Sequence, residues 1–317
     1  MGVIFKGINK FRNLVIPQGG RLIVEAGGQI NLIAPNGTVY FVDANIAASG
    51  DGLSWDKAFK TMAEAFAVIS NGDTIYFRGK IKEQLTTPVQ VFDVTIIGAG
   101  NRPRHADDDP EGSGFASNTW TEPDDEAATT PLVKVIQQGW RFINILFVGG
   151  DDAACVQLYR DGGSGDAERD GSHAEFHNCR FASGYDGIEQ SGGCGHVGIY
   201  DCFFTSLTNY AIKNTTGAGI GYPIRWVLEN NRFLDCANVL KMACIGWKVV
   251  GNSFISTTTE IFDTDDGDGA AGKNVVAGNY FNIAAASFDP DGNVEGNSTD
   301  VWSNYLLDAI ETGVPTN

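Results

Sequence analysis

The chain has 317 residues, of which 43% are hydrophobic, with 40 glycines and a formal net charge of −17. An acidic chain without a basic, aromatic-rich stretch is not expected to bind nucleic acid. It has no apolar run of 18 residues, and "MGVIFKGINKFRNLVIP" lacks the apolar core and cleavage site of a secretory signal, so we predict no membrane span and synthesis in the cytoplasm.

Residues 1–39 differ in character from the rest of the chain. Their apolar residues alternate between pairs of glycines, and four basic side chains make the segment locally cationic: Lys6, Lys10, Arg12 and Arg21. Such a segment cannot bury its own apolar face. We therefore predict that residues 1–39 are an attachment and oligomerisation segment, and that residues 40–317 form one domain.

A helix is predicted at about residues 55–70, because apolar residues recur there at helical spacing: Ala58, Met62, Ala65, Phe66 and Ile69. Ser54 is the predicted N-cap, Asp56 lies in the first turn, and "NGD" at 71–73 ends the helix. The strand "TIYFRG" follows. We expect the helix to cover the first coil of a solenoid, whose core and strand edges would otherwise be exposed.

The rest of the chain repeats a short motif, seen in "LENNRFLD", "VVGNSFIS" and "VAGNYFNI". Seven copies end at an apolar residue, at intervals of 21 to 34 residues: Phe147, Phe181, Phe204, Phe233, Phe254, Phe281 and Leu306. Variable intervals indicate coils of short strands joined by loops of free length. A second apolar position follows each motif, at Ile188, Ile212, Leu240, Phe262 and Phe288. We predict an all-β, parallel β-helix with nine to ten coils between Thr74 and Leu306.

The residue two positions before each motif phenylalanine is predicted to occupy one bend of successive coils. Three of these residues are asparagines, Asn231, Asn252 and Asn279, whose amides are expected to form a ladder along the stack.

Cys179 and Cys202 occupy the same column. Stacked strands place their Cα atoms within disulfide range, but their parallel side chains disfavour a bridge, so we predict that the six cysteines are reduced and buried.

Two groups of residues are candidates for a functional site. Residues 101–130 form a long, acidic excursion that carries Trp120, a candidate glycan-stacking residue or an anchor of the loop, and His105, a candidate partner contact or a structural residue. Asp152 and Asp186 both lie five residues after a motif phenylalanine. If the coils stack in register, they form a carboxylate pair suited to glycoside hydrolysis; the alternative is that both are turn residues.

No metal or cofactor site is predicted. "DTDDGDG" at 263–269 and "DPDGN" at 289–293 lack the ligand spacing of a Ca²⁺ loop, and the four histidines lack metal-binding spacing.

The block "YFVDANIAASGDGLSWDKAFKTMAEAFAVISNGDTIYF" resembles the capping segment of right-handed parallel β-helix proteins, which include pectate-lyase-like enzymes and bacteriophage tailspikes. "IIGAGNRPRHADDDPEGSG", followed by "TTPLVKVIQQGWRFINILF", is similar to β-helix proteins encoded among phage virion genes. The resemblance covers about residues 40–305. It implies a right-handed coil and a place in the virion, but it identifies no reaction, because this fold hosts lyases, hydrolases and adhesins.

Two functions are therefore predicted. The first is a non-enzymatic virion protein, such as a capsid decoration, head spike or short tailspike, that binds host-surface glycan. It would attach to capsid or tail proteins through residues 1–39 and form a side-by-side homotrimer, because Trp226, Trp247 and Phe203 exceed what one narrow core readily holds and are assigned to subunit contacts. The alternative for Trp226 and Trp247 is that they are core residues. The alternative is a polysaccharide depolymerase of the tailspike type, a glycoside hydrolase or lyase, that uses Asp152 and Asp186.

Overall fold

The computed structural model describes residues 37–100, 118–123, 129–161, 169–215, 224–242, 246–255, 260–263, 274–282, 299–302 and 305–306. The chain divides into two units, 1–34 and 35–317, and everything below belongs to the second. Residues 1–36 lie outside the described residues, so the attachment role of residues 1–39 stays a prediction. No helix in the described part is long and apolar enough to cross a membrane.

The regular secondary structure of the described part of the chain is nearly all short strands. The first are β1 Val39–Asp43, β2 Thr74–Lys82, β3 Leu85–Thr86, β4 Thr95–Gly98, β5 Asn118–Thr121, β6 Val133–Val135, β7 Arg141–Ile143, β8 Leu146–Val148, β9 Ala154–Tyr159, β10 Glu175–His177, β11 Arg180–Ala182 and β12 Asp186–Ser191. They are followed by β13 Gly198–Tyr200, β14 Phe203–Thr205, β15 Tyr210–Thr215, β16 Val227–Glu229, β17 Arg232–Leu234, β18 Asn238–Met242, β19 Lys248–Val250, β20 Ser253–Ile255, β21 Glu260–Asp263, β22 Asn274–Ala277, β23 Tyr280–Asn282, β24 Thr299–Trp302 and β25 Tyr305–Leu306.

The strands stack in three parallel sheets. Sheet A contains β1, the first half of β2, β4, β7, β10, β13, β16, β19, β22 and β24. Sheet B contains the second half of β2, β5, β8, β11, β14, β17, β20, β23 and β25. Sheet C contains β3, β6, β9, β12, β15, β18 and β21. The predicted right-handed parallel β-helix is confirmed, with one strand of each sheet in a typical coil.

Each corner of the coil is made by a residue with positive φ. The corner between sheets C and A is occupied by Asp93, Gly139, His173, His196, Arg225 and Gly246, and the corner between A and B by Asn144, Asn178, Asp201, Asn230, Gly251 and Gly278. Ser183, Ser206 and Asp235 lie at the corner between B and C. Asn, Asp, His and Gly are the residues that tolerate this left-handed backbone best, which explains their recurrence at these positions.

The predicted phenylalanine column lies inside the coil. Phe181, Phe204, Phe233, Phe254 and Phe281 are fully buried, and consecutive rings stack with centroids 4.7 to 5.0 Å apart. The second apolar column is also confirmed by the register, which aligns Ile188, Ile212, Leu240 and Phe262. Phe288 lies outside the described residues. Burial of these side chains supplies the main driving force for stacking the coils.

The asparagine ladder is confirmed at the corner between sheets A and B. Asn252 Oδ1 accepts hydrogen bonds from the main-chain N–H and the Nδ2 of Asn231, at 2.8 and 3.0 Å. Asn279 Oδ1 does the same for Asn252. Two coils earlier, Cys202 Sγ takes over the acceptor role and receives the N–H of Cys179 at 3.4 Å. The five described cysteines are buried free thiols, as predicted; Cys244 lies outside the described residues.

The predicted helix at 55–70 is wrong in extent. A 3₁₀ turn spans Trp55–Lys57, and the α-helix α1 spans only Met62–Phe66. Phe59 interrupts them because its N–H and C=O bond the main chain of β1, at 2.8 Å each. Thr61, not Ser54, is the N-cap of α1 and forms a capping box with Glu64. That α1 covers the end of the coil stays a prediction.

The aromatic residues assigned to subunit contacts are buried within their own chain, so this assignment is wrong. Trp226 donates its indole N–H to the carbonyl of Cys194 at 3.0 Å. Phe203 is only 4% exposed, and the guanidinium groups of Arg180 and Arg232 lie 5.1 and 5.2 Å from its ring centroid. Both guanidinium groups lie over the ring in cation–π contact. The homotrimer stays a prediction, now without this support.

Candidate functional site

The outer face of sheet C carries a column of polar side chains. Alternation along its strands points one residue into the core and the next outward. The strand register aligns Lys134, Gln157, Glu189, Lys213, Lys241 and Asp263 from coil to coil. The residue before each of the first five is buried and apolar, so the core fixes the orientation of these five polar side chains. Successive members are therefore held about 4.8 Å apart, the spacing of paired strands.

Lys213 connects two carboxylates at the centre of this face. Its Nζ lies 3.6 Å from Glu189 Oε1 and 3.5 Å from Asp186 Oδ2. The two carboxylates are therefore no farther apart than about 7 Å. On its other side, Glu189 Oε2 accepts a hydrogen bond from Gln157 Nε2 at 3.0 Å. These four side chains form a connected network, which we call the sheet C cluster: Gln157, Asp186, Glu189 and Lys213.

Accessibility separates the members of the cluster. The side chains of Glu189 and Lys213 are 25% and 23% exposed, whereas that of Asp186 is 3% exposed. Asp186 Oδ1 accepts from Asn209 Nδ2 and from the main-chain N–H of Tyr210, both at 2.8 Å. Asp186 therefore forms its ion pair with Lys213 from the buried side of the cluster. Glu189 and Lys213 are the groups that can contact a bound molecule.

Burial raises the pKa of Asp186 above its ordinary value, and hydrogen bonding by Tyr210 and the charge of Lys213 only partly oppose this effect. A buried carboxylate loses its hydration, which penalises the charged form. Burial is therefore the main cause of the raised pKa of Asp186.

Aromatic residues flank the polar column. Lys134 Nζ lies 3.7 Å from the ring centroid of Tyr159, and Lys241 Nζ lies 6.0 Å from that of Tyr210. Both rings are half-buried. A surface that combines such rings with amide, carboxylate and ammonium groups offers both stacking and hydrogen bonds, which are the contacts that a sugar uses.

The sequence-predicted site residues are only partly brought together. Asp186 belongs to the cluster, but the register pairs it with Ala154 rather than with Asp152. The segment from Phe147 to Ala154 contains two more residues than the equivalent segment from Phe181 to Asp186. This insertion moves Asp152, which is exposed, out of the column. The expected register of Asp152 with Asp186 is therefore wrong.

Trp120 does not present its ring to solvent. It is fully buried in β5, its indole N–H donates to the carbonyl of Glu83 at 2.8 Å, and its ring stacks on Phe147 with centroids 6.2 Å apart. A glycan cannot reach it, so its assignment as a glycan contact is wrong and its alternative as an anchor is the one that fits. His105 lies outside the described residues.

Glu189, Lys213 and Gln157 were missed by the sequence argument, although a signal for two of them existed. Ile188 and Ile212 were assigned to the core, and alternation places the next residue of each strand outward. Glu189 and Lys213 are therefore expected to be neighbours on the outer face. The position of Gln157 does not follow in this way, because the two-residue insertion after Phe147 changes the distance from the motif to its strand.

The architecture is that of a right-handed parallel β-helix, and solved structures share it. A GH136 lacto-N-biosidase from Eubacterium ramulus matches with a TM-score of 0.55 and 11% identity. The match covers 85% of this chain and 56% of the biosidase, so the chain spans little more than half of that protein.

Two further structures match with lower scores. A pectin methylesterase from carrot has a TM-score of 0.45 and 12% identity, over 83% of this chain and 88% of its own. The pectate lyase Pel9A has a TM-score of 0.44 and 12% identity, over 84% and 79%. No family model and no curated protein matches the sequence. Identities this low establish the fold alone.

Proposed function

We propose that the chain is a polysaccharide-cleaving protein and that the outer face of sheet C is its active surface. The observation that carries this proposal is the sheet C cluster, in which an accessible carboxylate is held by an amide on one side and by a lysine on the other. Such positioning suits a general acid or base, which must hold one orientation while a proton moves. Of the two functions predicted from the sequence, this is the depolymerase alternative.

Glu189 is the proposed proton-transfer group. Gln157 and Lys213 fix its carboxylate, and Lys213 supplies a positive charge beside it that can stabilise negative charge on the substrate. Asp186 is a positioning residue, since it is too deeply buried to touch a glycan.

The comparisons show the fold alone, and the name of one matched structure supports the proposed substrate class. The structure matched with a TM-score above 0.5 is named as a lacto-N-biosidase, an enzyme of glycan cleavage. None of the matched structures reported above is named as a virion protein. We therefore prefer the enzyme to the non-enzymatic virion protein, while the virion location and attachment to capsid or tail proteins stay predictions.

The test is to incubate the protein with a panel of polysaccharides and to measure new reducing ends and ultraviolet absorbance. Hydrolysis yields reducing ends alone, and elimination also yields an absorbing unsaturated product. Glu189→Gln is expected to lower the rate by about 10² to 10⁴, the usual contribution of a general acid or base.

Glu229→Gln is the matched control, because Glu229 lies on the outer face of sheet A and also faces a lysine at 3.6 Å, Lys248. This variant, like Asp152→Asn, should retain full activity. Wild-type protein that cleaves no member of the panel, or Glu189→Gln and Glu229→Gln proteins of equal activity, would refute the proposal.

A further inference from the structure

The corner between sheets C and A presents cationic groups in three successive coils. His173, His196 and Arg225 occupy equivalent positions there, with φ between +56° and +59°. The N–H of His173 bonds the carbonyl of Gly195 at 2.9 Å, and that of His196 bonds the carbonyl of Ile224 at 2.6 Å. These bonds fix the three residues in one column, which we call the cationic corner.

The two imidazole rings of the cationic corner lie parallel to each other. The imidazole rings of His173 and His196 stack with centroids 4.7 Å apart and planes inclined by 3°. His173 and Arg225 are exposed, and His196 is half-buried. Partial burial, followed by the charges of His173 and Arg225, lowers the pKa of His196. The charge of Arg225 therefore acts on the His196 ring.

Nearby carboxylates are already occupied. Asp170 accepts hydrogen bonds from Gln138 and Ser172 and lies 4.0 Å from Arg160. Glu175, on β10, accepts hydrogen bonds from Arg141 and His177. In the coil after Arg225, Lys248 lies 3.6 Å from Glu229. Within the part of the chain that the structure describes, Arg225 has no carboxylate within salt-bridge distance, although the protein as a whole carries a net charge of −17.

The backbone alone does not explain this choice of residues. The same column holds Gly139 in the coil before His173 and Gly246 in the coil after Arg225, so glycine satisfies the positive φ at this corner. When both imidazoles are protonated, the three positive charges repel one another. An anion bound across the column would offset that repulsion.

We propose that His173, His196 and Arg225 form a binding site for an oxyanion group, the sulfate or phosphate ester of a glycan, and that binding strengthens as the pH falls. A guanidinium donates two parallel N–H groups to an oxyanion. A protonated imidazole donates from both nitrogens. Because a protonated imidazole is positively charged and a neutral one is not, affinity for an oxyanion rises as the pH falls. The site lies apart from the outer face of sheet C, so the inference stands without the proposed catalysis.

The test is isothermal titration of the full chain with sodium sulfate, with dextran sulfate and with dextran, at about pH 5.5 and about pH 7.5 and constant ionic strength. Dextran sulfate should bind more tightly at the lower pH, and dextran should not bind. Binding of sodium sulfate as well identifies the ester group as sufficient; binding of dextran sulfate alone shows that several esters along one chain are required, which the three-coil column provides.

Arg225→Asn and the double variant His173→Asn, His196→Asn test the column, because asparagine tolerates the positive φ. Arg225→Asn is expected to weaken binding about ten- to a hundredfold, the value of a hydrogen bond to a charged group. The double variant is expected to lose the pH dependence. Lys60→Asn removes one exposed positive charge elsewhere and should bind like the wild type. Equal losses in the Lys60 and Arg225 variants, pH-independent binding by the wild type, or equal binding of dextran would overturn the proposal.

Discussion

Replacing Asn252 by Ala tests how much the asparagine ladder contributes to stability. In the wild type, Asn252 Oδ1 accepts from the main-chain N–H of Asn231 at 2.8 Å, and Nδ2 donates to the carbonyl of Leu228 at 3.0 Å. All of this takes place inside the coil, where Asn252 is 1% exposed. Alanine leaves the N–H of Asn231 buried without its acceptor, which costs about 1 to 3 kcal/mol. With about 1 kcal/mol for the other lost bonds, we expect a total of about 2 to 4 kcal/mol.

The cysteines of the same column provide a graded control. Cys202 Sγ accepts the N–H of Cys179 at 3.4 Å, a long and weak hydrogen bond. Asn252→Cys should therefore lose about half as much stability as Asn252→Ala. Asn282→Ala, at an exposed position of β23, should change stability by less than about 0.5 kcal/mol.

Urea unfolding followed by circular dichroism measures these differences, provided that the slopes agree among the variants. Hydrogen exchange of the Asn231 amide adds a local reading, because loss of its acceptor should accelerate exchange there. If Asn252→Ala is as stable as Asn282→Ala, or Asn252→Cys is less stable than Asn252→Ala, the ladder does not stabilise the coil through these bonds.

Three further outcomes follow from burial. Phe233→Ala should lower the free energy of unfolding by about 3 to 5 kcal/mol and Phe233→Leu by less; equal losses in urea unfolding would contradict the role of apolar burial. Burial raises the pKa of Cys155 and Cys236 to about 12, so alkylation of native protein at about pH 8 should leave both unlabelled by mass spectrometry, and labelling before urea is added would contradict their burial. Because the folded pKa of Asp186 is raised, its contribution to stability is present below its unfolded pKa and is lost as pH rises through the folded value; the stability of wild type relative to Asp186→Asn should therefore fall as the pH rises above the ordinary aspartate value of 3.8, and a constant difference would contradict this.

The sequence predicted the fold because each coil must repeat the same inward positions. Phe181, Phe204 and Phe233 mark one of them, and the residue two before each marks the adjacent corner. The extent of the helix could not be read in the same way. Phe59 satisfies the helical spacing, but its main chain pairs with β1 instead. Local periodicity cannot predict such pairing with a distant part of the chain.

The candidate site was harder to predict for a related reason. Asp186 was found because it follows a motif phenylalanine, but Lys213 lies in the following coil and Gln157 in the preceding one. Pairing Asp152 with it required every coil to have equal length between sheets B and C, and the insertion before Ala154 breaks that rule. The strand register decides which side chains of an outer face become neighbours. One loop of variable length can shift that register while the repeated motif stays unchanged.

The ladder at the corner between sheets A and B also has a direction. Asn231 gives its N–H to Asn252, and Asn252 gives its own to Asn279, so each coil offers donors to the next coil and acceptors to the previous one. The two edges of a coil are therefore complementary, and the segment from Asn231 to Gly251 begins and ends at equivalent points of the spiral. A gene duplication of that segment would insert a complete turn whose hydrogen bonds, phenylalanine and corner residues all find partners. Such a protein can change its length by whole turns while its cross-section stays the same.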